Sequence, residues 1–481
     1  MHMPLIDENH YADVMRDTVL PALAKCREEG WMSPAGVPDT TTVSAQSGVS
    51  NGVASDVGNS GANDSAIVAS SNGDVVNSSD GDNPDSQVGN AVSADIPDIP
   101  GGAVPGDVSQ RPPDSGADSV AAGSSATHVG MGDAGIGVSG AGIDTGPDEE
   151  EEQWILHSKL FGLPSLAAPP TPGKLHYVCF DAHKFDVLNV PGASAKFRGS
   201  IVFSFGFSEF AAKHAEMTWY FLLAGYSVCI LEHRGHGYSV RDVSNPSLVW
   251  IDDWRRYVAD LAKFSQTVGR QYAGDQPMHL YSHSMGGGIA AAALESFPML
   301  FDRAVLSSPM IEPVTGMPNF IAGPASSIAS AIGLSRRRAP GQTDFSPTVK
   351  LKGYEGAEQS RVQWYFEQRK NDRHYQTNAA TLGWVHQALK MSHAILSREA
   401  CSRIETPILL FQAGRDTWVH NAAQNRFVER VRVESGDVVL ERVEPAVHEI
   451  FSMPNAILGP YIERIIDFYG ESVEDMVAEE E

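Results

Sequence analysis

Residues 279–288 read His-Leu-Tyr-Ser-His-Ser-Met-Gly-Gly-Gly and run straight into Ile-Ala-Ala-Ala-Ala-Leu at 289–294. An apolar, strand-like run, a Ser-x-Ser-x-Gly turn and a strong helix former, in that order, describe a nucleophile elbow. Such a turn holds its central Ser at strained backbone angles, with the hydroxyl exposed at the C-terminal edge of a sheet. The residues two positions away must be small, or strand and helix collide. Gly286 meets that need, and Ser282 stands where the usual motif has Gly. The feature therefore demands a sheet in which a buried strand feeds directly into a helix.

The surrounding pattern supplies one. Apolar runs at 199–206, 226–231, 303–309 and 407–414, and a last one at 437–443, read as strands. Helical spacing separates them at 213–224, 248–267 and 456–469. Strands that are apolar throughout and alternate with helices indicate an α/β fold, a mostly parallel sheet with helices on both faces. Residues 310–402 interrupt the alternation with helix-rich sequence, which predicts a helical cap over the sheet's C-terminal edge. Near the N-terminus, residues 8–31 show helical periodicity with Gly30 as a stop, and 174–180 with 185–190 suggest an antiparallel hairpin. Residues 36–152 lack Phe, Trp, Tyr, Leu and Lys and carry fifteen Asp and four Glu against one Arg, a net −18 of the chain's −25. Such a segment cannot bury enough apolar surface to order itself, and disorder is expected. The predicted organisation is an N-terminal helix packing on the core (1–35), a disordered acidic insertion (36–152), a first core part (153–309), the cap (310–402), a second core part (403–470) and an acidic tail (471–481).

A Ser hydroxyl is a poor nucleophile at neutral pH and needs a base held by a carboxylate. In a fold built on this elbow the order along the chain is Ser, acid, His. Ser284 is the candidate nucleophile. Asp416 follows the strand after the cap, and Glu312, after the strand before it, competes for the same role. His448 follows the last strand and is the candidate base. His283 adjoins the nucleophile, but its side chain is expected to point away. The oxyanion needs backbone donors. Met285, next after Ser284, is one, and Phe207, in the loop opened by Gly206, is the other.

Ser282-His283-Ser284-Met285-Gly286-Gly287, Gly206-x-x-Glu209, the run Arg234-Gly235-His236-Gly237-Tyr238-Ser239, Gly414-x-Asp416 and His448-Glu449 together resemble the monoacylglycerol lipase and lysophospholipase group of α/β-hydrolases, and within it the lysophospholipase L2 branch. The resemblance covers about residues 8–32 and 172–470. It implies an α/β-hydrolase fold and a serine hydrolase that cleaves the carboxylic ester of a single-chain acyl lipid through an acyl-enzyme. It implies no cofactor and no metal, with a cap that shapes the acyl pocket. Phe205 departs from the group, where many members carry His. Other readings stay open: an aminopeptidase or small-ester esterase of the same fold, or a non-catalytic binding module.

The acidic balance excludes nucleic acid as a partner, since phosphate binding needs a basic face. None of the four cysteines is paired at metal spacing, which suits a reducing compartment. No basic n-region precedes an apolar core at the N-terminus, and no 18 apolar residues run uninterrupted, so neither a secretory leader nor a membrane span is expected. A cytoplasmic protein follows, and two readings of the cap stay open: a packed helix with a solvated basic turn, or peripheral contact at the inner face of the membrane. In the cap the weakly apolar residues 316–334 precede Arg336-Arg337-Arg338, which could meet a lipid phosphate. Nothing in the sequence determines an oligomeric state.

Overall fold

The computed structural model describes residues 3–35, 173–194, 196–348 and 353–471. The expected disordered insertion at 36–152 and the acidic tail after Glu471 lie outside the described residues. Among those described, ten strands follow one another: β1 (Arg27–Met32), β2 (Leu175–Phe180), β3 (Gly199–Ser204), β4 (Tyr226–Leu231), β5 (Leu248–Val249), β6 (Met278–His283), β7 (Ala304–Ser307), β8 (Ala379–Ala380), β9 (Ile408–Ala413) and β10 (Val438–Val443). Eight form one sheet in the order β1-β2-β4-β3-β6-β7-β9-β10, and β5 pairs with β8 separately. From β4 to β10 neighbouring strands are parallel, whereas β1 and β2 close one edge in antiparallel fashion. Every residue of β3, β4 and β6 is buried, as parallel strands covered on both faces should be.

The main helices are α1 (Leu20–Cys26), α2 (Ala215–Leu223), α3 (Arg255–Phe264), α4 (Met285–Ser296), α5 (Asn319–Ala331), α6 (Gln359–Asn371), α7 (Leu382–Ile395), α8 (Asn421–Val433) and α9 (Asn455–Gly470). One apolar layer joins Leu261 of α3, Ile289 and Leu294 of α4 and Phe427 of α8 to one face of the sheet. A second joins Leu23 of α1, Phe221 of α2 and Ile462 and Ile465 of α9 to the other. Between β7 and β9 the chain builds α5, α6 and α7, and α7 packs on both α5 and α4. The β5–β8 pair stitches this excursion to the segment after β4.

The strand order determines where chemistry can occur. Because β3 and β7 flank β6, the loops leaving all three meet at one place on the C-terminal edge. Gly286 lets the elbow close there. A Cβ on it would lie 2.1 Å from the Ser204 carbonyl oxygen at the end of β3.

Three local expectations differ from the structure. The N-terminal helical stretch stops at Cys26, and Arg27–Met32 is an edge strand. Gly30 is no helix stop, for its missing side chain makes room for the Tyr177 ring of β2, whose Cζ would sit 2.1 Å from a Cβ there. Residues 185–190 are not a strand; Asp181 caps a short helix, Ala182–Asp186, by accepting from the His183 amide. The partner of β2 is instead β1, with Met32 opposite Leu175, so the chain leaves and re-enters the sheet at paired positions. Finally, Leu248–Val249 is strand, and the helix expected from 248 begins at Arg255.

Replacing Gly286 by Ala forces backbone apart at the elbow and should lower stability by about 1–3 kcal/mol. Urea unfolding of the variant checks this; an unchanged midpoint would show that the close approach is not needed.

Candidate active site

Ser284 sits at the β6–α4 junction with φ +52° and ψ −119°, a left-handed backbone that a non-glycine residue adopts only under constraint. The constraint is visible. Its N–H donates to the Ser307 carbonyl of β7 (3.1 Å), and its carbonyl accepts from the Gly288 (3.1 Å) and Met310 (2.7 Å) amides. The hydroxyl of Ser282 is absorbed by the Val305 carbonyl at 3.1 Å, so a Ser there leaves the elbow undisturbed.

Nε2 of His448 lies 2.8 Å from Ser284 Oγ, and its Nδ1 lies 2.7 Å from Asp416 Oδ2. An ionised carboxylate only accepts, so Nδ1 carries the proton and Nε2 is left to accept from the serine hydroxyl. The Asp416 side chain has no solvent exposure, and its other oxygen accepts from the amides of Trp418 (2.8 Å) and Val419 (3.1 Å). Burial pushes this carboxyl up, but the His448 charge and hydrogen bond, with the two amides, outweigh it and hold the group below the usual value. Glu312 lies elsewhere, paired with Arg426 at 2.7 Å and bonded to Asn319 at 2.8 Å. His420 is exposed at the start of α8.

The loop after β3 approaches closely. A Cβ on Gly206 would lie 3.0 Å from the Ser284 Cβ. Phe207 follows it and packs on Trp384 of α7, ring centroids 4.5 Å apart. Met285 opens α4, where an amide has no acceptor within its own helix. Beneath these loops lies a buried ionic array, of which the sequence motifs include Glu209 and Glu449 but not Lys213. Glu209 accepts from the Gly206 amide (2.6 Å) and from Lys213 (2.6 Å). Lys213 also reaches Glu449, the neighbour of His448, at 2.6 Å. His283 does not point away, for its Nδ1 stands 3.3 Å from Glu209 and its Nε2 3.4 Å from the His448 carbonyl.

Residues 195–455 match the serine aminopeptidase S33 family. The chain belongs to that family. Lysophospholipase L2 of Escherichia coli (strain K12) is 28% identical over 305 residues, 58% of this chain and 84% of that protein. Monoacylglycerol lipase of Mycolicibacterium smegmatis is 26% identical over 263 residues, 53% of this chain and 83% of that protein. A soluble variant of monoglyceride lipase from Saccharomyces cerevisiae, crystallised with a substrate analog, aligns at a TM-score of 0.48 and 17% identity over 63% of this chain and 93% of that one. With the sheet order above, this S33 chain has the α/β-hydrolase fold.

In this S33 chain the signal that could have found the ionic array is local. Glu209 and Lys213 are four residues apart, the spacing of a helical ion pair, and Glu449 adjoins the candidate base.

A carboxyl depressed in the folded state adds stability that is full above its unfolded pKa, about 3.9, and is lost as pH falls through the folded value. Asp416→Asn removes that contribution. The stability gap between parent and variant should be widest near pH 7 and narrow as pH drops below about 3.9. Denaturant unfolding across that range measures it; a constant gap would contradict the assigned ionisation.

Proposed function

We propose that this S33 protein hydrolyses the carboxylic ester of a single-chain acyl lipid, a lysophospholipid or a monoacylglycerol, with Ser284, His448 and Asp416 as its catalytic triad. Ser284 Oγ attacks the ester carbonyl as His448 Nε2 takes its proton. The Met285 and Phe207 amides receive the oxyanion. His448 returns the proton to the departing alcohol, leaving an acyl-enzyme. Water, deprotonated by the same imidazole, then releases the fatty acid and restores the serine.

The observation that carries the substrate class is the cavity beside Met285. Ile251, Trp254, Met285, Met310, Trp384 and Met391 wall it, between α7 and the core. Tyr257, Gln387 and Ala388 complete a wall whose open surface is apolar, and no carboxylate is among its described lining residues. The wall suits an acyl chain, but at about 220 Å³ the space admits a long one only if α7 moves outward; it offers no carboxylate to the free amine an aminopeptidase must hold. The names of the relatives, a lysophospholipase and a monoacylglycerol lipase, agree with this choice.

The cap also supports peripheral contact with a membrane. Phe320 is 78% exposed, Ile328 63% and Ile332 67%. Residues 313–343 contain three Arg and no Asp or Glu in a chain of net charge −25. The phosphate role expected of all three arginines narrows, however. Arg336 donates to the Asp242 carbonyl and lies over the Trp250 ring, and Arg338 pairs with Asp344. Arg337 is left as the guanidinium without a partner among the described residues. No helix among those residues is long and apolar enough to cross a membrane, and all four cysteines are free thiols, which suits a cytoplasmic setting.

Purified protein should hydrolyse lysophosphatidylcholine or a monoacylglycerol, and Ser284→Ala should lose up to about 10⁶-fold in kcat while staying folded. Turnover of aminoacyl amides alone would overturn the ester assignment. Exchanging Phe320, Ile328 and Ile332 for Ser should cut co-sedimentation with phosphatidylglycerol vesicles and spare hydrolysis of a water-soluble short ester. Unchanged sedimentation would remove the membrane contact.

A further inference from the structure

Lys213 has a side chain only 3% exposed and sits between two carboxylates. Its Nζ donates to Glu209 and to Glu449, each at 2.6 Å, and lies 4.2 Å from the ring centre of Tyr365 and 5.3 Å from that of Phe451. Each carboxylate holds a different loop. Glu209 accepts the Gly206 amide at 2.6 Å and faces Nε2 of His214 (3.2 Å) and Nδ1 of His283 (3.3 Å), so it shapes the loop that presents the Phe207 amide. Glu449 follows His448 in the chain and accepts from the Ser452 hydroxyl (2.9 Å) and the Tyr354 hydroxyl of the cap (3.0 Å).

We propose that Lys213 is a positioning residue for catalysis: it locks the oxyanion loop to the loop bearing the base, and both to the cap through Tyr354 and Tyr365. The proposal rests on the triad reading above. Burial pulls each of the three groups toward its neutral form, and their mutual charge overcomes it. Glu209 and Glu449 stay below the usual carboxylate value and Lys213 above the usual ammonium value. Without the ammonium, two buried carboxylates would face one another, and the cheapest relief is to move the loops apart or to protonate one of them. Neither loop bears substrate through these side chains. The effect should therefore fall on the alignment of Phe207 and His448 in the transition state, and so on kcat rather than KM.

The test compares kcat and KM, per active site titrated with a fluorophosphonate, for wild type, Lys213→Arg, Lys213→Met and the charge-balanced double variant Lys213→Met with Glu449→Gln. The double variant leaves Glu209 with its histidine and amide partners and no second buried carboxylate, so it keeps a test available where Lys213→Met alone does not fold. Expected is a fall in kcat of about tenfold to hundredfold in the Met variants at near-constant KM, with Lys213→Arg recovering most of it. A double variant that is folded, with kcat per titrated site less than tenfold below wild type, overturns the proposal. So does an equal loss in Lys213→Arg. Wild-type protein that neither takes up fluorophosphonate nor hydrolyses any ester would overturn the triad reading, and this inference with it.

Discussion

The backbone of Ser284 is the constraint on which the rest of the structure depends. Holding a serine at φ +52° costs about 1–3 kcal/mol. That cost is met by hydrogen bonds from three directions: β7 through Ser307, the first turn of α4 through Gly288, and the segment after β7 through Met310. Each of those bonds requires its strand to lie where the sheet order puts it. Gly286 must lack a side chain for α4 to pass the end of β3. The elbow is therefore a property of the whole sheet as much as of its own six residues.

From that point outward the site is an exercise in orienting polar groups in a dry place. The Asp416 carboxylate is buried and accepts three hydrogen bonds, which leaves His448 one orientation and one tautomer. The charges beneath the loop after β3 would be expensive alone, yet the array of Glu209, Lys213 and Glu449 leaves none of them unpaired. The cap reaches the same loops from above. Trp384 lies on Phe207, and Tyr354 bonds to Glu449. Movement of the cap would thus be felt at both the loop of Gly206 and Phe207 and the loop of His448.

What could be read from sequence was what is encoded locally. The elbow shows because strand, turn and helix are contiguous, and the parallel sheet shows because its strands are apolar throughout. Asp416 and His448 could be singled out because each follows a strand end in a set order, and the structure brings both to Ser284. The rest depends on partners distant in sequence. The acid-rich segment 27–32 has good helix formers, but pairing with β2 overrides them, and the meaning of Gly30 is apparent only with the Tyr177 ring against it. Likewise the helix capped by Asp181 takes Phe185 and Asp186 out of the alternating run, and the rest of that run is turn and loop. Glu209 and Glu449 each stand in a local motif, but that Lys213 joins them depends on the fold, since Glu449 lies 236 residues from it along the chain.

The most direct test is to catch the covalent intermediate. Acid quench during turnover of a monoacyl ester, followed by mass analysis of the peptides, should find one acyl group, on the peptide containing Ser284. An acyl group on another residue during steady turnover, or turnover that persists in a protein lacking the Ser284 hydroxyl, would contradict the account.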